Sequence, residues 1–351
     1  MCSFGQMGKV IERFGWPRLI IAFFLVALFA SAPLVNVRID TSLSDVLVRV
    51  GMNGILVLAM VPMIQSGCGL NFGLPLGIIA GLVGAVTSMN FSLQGFVGFF
   101  AAILIAIPIA AILGYFYGWL LNLTKGDEMM IATYVGFSSV AFMCMMWLLL
   151  PYHNPLMLWG FGGSGLRTTI SLQAFWLQIL DKFLSFHIGN YFFFPTGSLV
   201  FFAVVCFVMW AFFRTTTGTA MMAAGSNPQF ARANGVDVDR MRMLSVVMST
   251  ILGAIGMIVY EQSYGFIQLY MGPFYMAFPA VAAVLLGGAS VNKATITNVV
   301  VGTLLFQGIL TMTPSVINSL LKTDMSEVIR IVVSNGMILY ALTRKEQVKK
   351  R

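Results

Sequence analysis

The sequence predicts an all-α polytopic membrane protein of about ten transmembrane helices. Three observations carry that prediction. Hydrophobic residues make up 59% of the chain and charged residues 9%, at a mean hydropathy of +0.90, so no soluble domain has room to fit. Apolar runs of about 20 residues, the length that crosses ~30 Å of hydrocarbon, recur along all 351 residues. A β-barrel would need short alternating segments instead. The basic residues, finally, divide unevenly between the two ends of those runs.

The apolar segments are 17–35, 46–66, 73–89, 94–122, 130–151, 196–214, 244–262, 275–288, 296–314 and 327–343. Ten crossings put both termini on one side. Lys9, Arg13 and Arg18 flank the first segment, and no cleavage site precedes it, so no removed signal peptide is expected. With both termini in the cytoplasm, fourteen basic residues fall inside: Lys9, Arg13, Arg18, Lys125, Arg214, Arg232, Arg240, Arg242, Lys293 and five in the C-terminal tail. Six fall outside: Arg38, Arg49, Arg167, Lys182, Lys322 and Arg330. That is the asymmetry of a helical protein in the bacterial inner membrane. The net charge of +8 therefore records topology. No basic patch with interleaved aromatics points to nucleic acid.

Several segments are irregular. Residues 66–77 carry Gly67, Gly69, Gly73, Pro75 and Gly77. They fit either a tight turn between spans or backbone leaving the helix beside a water-filled path. Segment 275–288 is short for a full crossing and ends on Gly287 and Gly288, which fits a short or broken helix. The pairs Gly77/Gly81 and Gly114/Gly118 let helices approach closely, as internal packing rather than a dimer seam. The longest connection, 152–195, is glycine-rich at 159–165. Leu172, Phe175, Trp176, Ile179, Leu180 and Phe183 then recur at helical spacing. This predicts an amphipathic helix lying flat in the lipid interface, with Trp176 at headgroup level. Helping to dock an external protein is the second reading of that loop.

Polar residues within the spans are few. Glu261 and Gln262 stand at the end of the seventh segment, where water can reach them. Asn53 and Gln307 are deep enough either to line a path or to bond between helices. No acid pair stands near mid-membrane, and His153 and His187 fall in the outer loop, so no ion relay can be drawn. The four cysteines are scattered and suggest neither a metal site nor disulfides. No Gly-x-x-x-x-Gly-Lys-Ser/Thr is present, so the chain does not cradle ATP itself. No enzyme constellation is present either.

The longest polar break in the second half is 214–244. It reads as short helix, turn, short helix. Thr217 or Gly218 begins the first piece, and Gly225 ends it as a residue tolerant of positive φ. Ser226 or Asn227 then caps 228–233, and Gly235 stops it. The bland reading is an ordinary basic cytoplasmic loop. The order of residues favours another. Arg214, Thr215-x-x-Gly218, Ala223-x-Gly225-x-Asn227, Ala231 and Gly235-x-x-Val238 resemble the coupling loop of ABC importer permeases for sugars, nucleosides and branched-chain amino acids. The run 283–290, AVLLGGAS, resembles that family's stretch before the ninth span.

That resemblance covers residue 45 onward and implies a type II ABC importer-like permease. Its partners would be a peripheral ATP-binding subunit, a second permease chain and an external solute-binding protein. ATP and Mg would sit on the partner ATPase, and this chain would hold no cofactor or metal. The loop would sit in a groove of the ATPase and convert its closure into helix movement. Asn71 stands where the family usually carries Asp beside the pathway, and it joins Asn53 and Gln307, chosen for their depth in the spans, as a candidate lining residue. Thr219 and Met222 replace basic residues of the family, a feature of one half of a heterodimer. Residues 195–235 are most similar to the ribose-type branch. The competing reading is an ion-coupled secondary transporter; a membrane enzyme has no residues to nominate.

Overall fold

The structure, a computed structural model, describes residues 16–159, 165–189 and 191–321, with 325, 328–329, 331–333 and 335–336 beyond. Helix α1 (Trp16–Ser31) passes into one 3-10 turn, Ala32–Val35. Helix α2 (Ile39–Leu58) continues as α3 (Met60–Gln65). The break at Ala59 follows from Pro62, which cannot donate to the carbonyl four residues back. Then come α4 (Leu74–Asn90), α5 (Gly95–Leu123) and α6 (Glu128–Leu149). Six helical stretches among the described residues are long and apolar enough to cross a membrane, and three more, including α4, are apolar but shorter. The fold is thus that of a multi-pass helical membrane protein. The tenth expected segment, 327–343, lies mostly outside the described residues.

The connection after α6 departs from expectation. No long interfacial helix forms. Strand β1 (Thr169–Ser171) precedes a single helical turn, α7 (Ile179–Lys182), and a hairpin of β2 (Phe186–Ile188) and β3 (Phe192–Phe194). Gln178 has φ 51°, which stops any helix from running through it. Trp176 does not face lipid. It is 1% exposed and meets the Phe99 ring edge-on at 6.0 Å. Leu172, Phe175 and Leu180 are buried too. Their helical spacing reflects a folded lid pressed into the bundle.

Helix α8 (Thr196–Phe213) leads to two short helices, α9 (Thr216–Ser226) and α10 (Pro228–Ala233), then to α11 (Val238–Tyr264). Strand β4 (Phe266–Gln268) pairs antiparallel with β1, so strands supplement the all-α expectation. Helices α12 (Gly272–Leu286) and α13 (Ile296–Leu321) follow. Helix α12 has 15 residues, about 22 Å of rise against ~30 Å of hydrocarbon, and is the short segment expected there.

Helix α11 is the centre of the bundle. Gly77 and Gly81 of α4 abut it so closely that a Cβ on either would lie 2.6 Å from the carbonyl of Thr250 or Ala254. Gly114 and Gly118 of α5 also abut it, against Val247 and Met243. All four glycines are therefore spent on internal packing. Its far end is also buried: Glu261 and Gln262 are 0% exposed, not wet. The Gln262 carbonyl accepts from the Gln178 amide at 2.8 Å and its Oε1 from the Leu180 amide at 3.2 Å. The lid is thereby hung on α11.

The connections gather at two poles. Turn 66–73, the α5–α6 loop, α9, α10 and residues 287–295 share one. The lid, β4 and the α4–α5 turn share the other, where the Gly95 amide donates to the Phe175 carbonyl.

Candidate functional site

At the first pole the short-helix pair forms as the residue order requires, with two adjustments. Thr215, not Thr217 or Gly218, caps α9: its Oγ1 accepts from the Gly218 amide at 3.2 Å. Gly225 lies inside α9 without a positive φ. Its role is close approach. A Cβ there would run into the carbonyl of Gln65 and lie 2.7 Å from the Gly67 nitrogen. Gly67 has φ +80°, and a Cβ on it would lie 3.0 Å from the Gly225 Cα. The two glycines seat α9 on the turn that ends α3. Gln65 then donates to the Ala294 carbonyl, tying that turn to the α12–α13 connection.

Asn227 caps α10 through its Oδ1, which accepts from the Phe230 amide at 3.0 Å. Gly235 ends it with φ +79°. Ala231 is buried against Ala224 and Val238, so α9, α10 and the start of α11 share one small core. Ala223 is half-buried. Gly218 abuts the Phe212 carbonyl and the Phe213 Cα. The Arg214 guanidinium lies 4.0 Å from the centre of the Trp210 ring, a cation–π contact. The remaining surface of α10 is exposed, Phe230 among it at 65%.

Ion pairs bind this unit to the neighbouring loop. Asp239 Oδ1 takes Lys125 Nζ at 2.6 Å and Arg232 Nη2 at 3.3 Å, all partly exposed. Arg242 meets Glu128 Oε1 at 2.5 Å with both side chains largely buried. Such screened and unscreened pairs differ in weight: exposed pairs contribute roughly 0–1 kcal/mol, and hydrogen bonds to charged groups about 1.5–3 kcal/mol.

Beneath the seat lies a buried polar cluster. Ser66 and Ser245 share a hydrogen bond at 2.6 Å. Asn71 donates to Ser249 Oγ at 2.7 Å and accepts from Tyr117 OH at 3.2 Å, while Ser249 donates to the Ala59 carbonyl at 2.5 Å. Asn71 is thus 1% exposed and held by two helices, α11 through Ser249 and α5 through Tyr117. Asn53 donates to the Arg49 carbonyl of its own helix at 3.0 Å. Gln307 is 5% exposed in α13. Asn71 joins the seat; no hydrogen bond links Asn53 to it. Sequence reasoning overlooked Glu128, Tyr117, Ser245 and Ser249. The i, i+4 spacing of Ser245 and Ser249 on an apolar helix was the available signal. Among the described residues no group of His, Cys, Asp or Glu is placed to hold a metal.

The comparisons with known proteins agree on one direction. A family model described as "Branched-chain amino acid transport system / permease component" matches residues 42–341. The autoinducer 2 import system permease protein LsrC of Enterobacter sp. (strain 638) is 27% identical over 252 residues. That match covers 72% of this chain and 63% of the relative, so it spans less than two thirds of the relative's length. No solved structure matches.

Proposed function

Because the chain belongs to the family of permease components of branched-chain amino acid transport systems, we propose that it is the membrane-spanning subunit of an ATP-driven importer for a small sugar-like solute. The observation that carries the reading is the glycine-to-glycine seat of α9 on turn 66–73. An exposed short-helix pair is keyed, without intervening side chains, into the turn that holds Asn71. A push on α9 or α10 reaches that turn and, through Arg242 and Glu128, the start of α6. The partner supplying the push is a peripheral ATPase that binds ATP and Mg, and an external binding protein delivers the solute. A second permease chain completes the path. The pole bearing α9 and α10 faces the cytoplasm of a bacterium, with ten crossings and both termini inside. The sugar class rests on the ribose-type resemblance of residues 195–235 and on the likeness to the LsrC protein, a permease of an autoinducer 2 import system.

The test is purification of tagged protein from its native membrane in mild detergent, with mass-spectrometric identification of what accompanies it. The expected companion is a stoichiometric ATPase carrying the phosphate-binding loop. Purification of the chain alone, together with uptake into liposomes driven by an ion gradient, would overturn the reading in favour of a secondary transporter.

A further inference from the structure

A cleft of ≈ 360 Å³ opens on the side of the bundle at the lid pole. Nine residues line it, none of them polar. They come from three elements. Phe96 and Phe100 stand near the start of α5, Val200 and Val204 on α8, and Phe183 and Leu184 on the lid just after α7. All six are exposed. The lid wall is held in place from both sides. The Phe96 ring meets the Phe183 ring edge-on at 5.4 Å, and a Cβ on Gly197 would run into the Leu180 carbonyl. Leu184 takes φ 53°, uncommon for a residue with a side chain, and is 69% exposed.

Three features bear on what covers the cleft. Its flanks continue into the exposed apolar faces of α5 and α8, at Leu104 and Phe207, on helices long and apolar enough to cross a membrane. Its depth is that of one leaflet. Val204 lies about 12 Å along α8 from Thr196, against about 15 Å for one leaflet of hydrocarbon. The α7 turn that supplies Leu180 to the cleft also carries Lys182, which is exposed. Asp181 beside it is 3% exposed, so the outward charge of that turn is positive. Lipid tails are as apolar as the lining, so choice among lipids must come from the headgroup.

We propose that the cleft is a lipid site: one acyl chain of a glycerophospholipid lies between α5, α8 and the lid, and Lys182 takes its anionic headgroup. The occupant touches the lid and two spans at once. It ties the lid to the bundle from the lipid side, as Gln262 ties it from within. Backbone held in a sparsely populated region clusters at ligand clamps, and that is the part Leu184 plays. The assignment depends on membrane placement and not on what the chain transports.

The experiment is photo-crosslinking of the purified full chain, with whatever subunits accompany it, in phosphatidylcholine nanodiscs. A small fraction of the lipid is phosphatidylglycerol carrying a diazirine midway along one acyl chain. Adducts are located by mass spectrometry of the digested protein. They should concentrate at residues 96–100 and 200–204 rather than at Leu104 or Phe207. Placing the diazirine on phosphatidylcholine instead should lower the cleft adducts about fivefold, the preference one cation exerts for an anionic lipid. Lys182→Gln should erase that difference. Val200→Trp should fill the cleft and lower its adducts with either lipid, whereas Leu104→Trp should not. Lys182→Gln changes an exposed side chain, so it keeps the test decisive if Val200→Trp fails to fold. Adducts as frequent at Leu104 and Phe207 as in the cleft would mean ordinary solvating lipid and overturn the site. A cleft yield indifferent to headgroup, or a preference that survives Lys182→Gln, would overturn the anionic assignment.

Discussion

A methyl group at Gly225 has nowhere to go, because the carbonyl of Gln65 already occupies its place. Gly225→Val should therefore unseat α9 while leaving the spans intact. We expect normal membrane levels and near-complete loss of ATP-driven uptake; normal uptake would remove the coupling role of the seat. Sequence order singled out this glycine but assigned it the wrong reason. A helix end and a close approach both select glycine, and only the neighbouring turn distinguishes them. Glu261 was misread similarly, since position near a helix end suggested water. Its two carboxyl oxygens have no hydrogen-bond partner among the described residues. An amide of the same shape removes a chargeable group from a site that gives it no compensation. Glu261→Gln should keep the melting temperature unchanged or raise it. Loss of uptake in that variant, with gradient dependence in the parent, would instead favour ion coupling.

The short helices illustrate how much an element owes to its first residue. Thr215, Asn227 and Asp237 each supply the side-chain oxygen that caps the next helix. Asp237→Ala should cost about 1 kcal/mol, seen as faster amide exchange in the first turn of α11 rather than as global unfolding. Removing the Arg242–Glu128 pair should cost more than removing Lys125–Asp239. A double-mutant cycle with Arg242→Gln and Glu128→Gln should return a coupling of roughly 1.5–3 kcal/mol, against roughly 0–1 kcal/mol for the exposed pair. Equal values would show that burial does not distinguish them. Capping residues and glycine stops made α10 legible within its residues. The lid was not legible, because apolar spacing at 172–183 looks the same whether a segment lies on lipid or folds into a bundle. The αL turn at Gln178 and the pairing of β1 with β4 depend on partners nearly 100 residues away.

At the scale of the molecule, the apolar runs foretold the order of helices closely. Helix α11 starts six residues earlier than its apolar run, so Arg242 is helical and meets Glu128 of α6. The lid closes the far pole through Trp176, and Trp176→Ala should lower stability by about 3–5 kcal/mol, as for other buried aromatics, measured by thermal unfolding in detergent. An effect below ~1 kcal/mol would return Trp176 to the lipid surface. Helix α11, with 27 residues and so about 40 Å long, runs between glycine-faced neighbours, with the short helices at one end and the lid hung on Gln262 at the other. One helix thus joins the short-helix pole to the lid pole without a break. Thermodynamic reciprocity sets one condition on any coupling carried along it: a ligand at the Asp237 end that alters binding at the lid must have its own binding altered by the lid's ligand to the same extent.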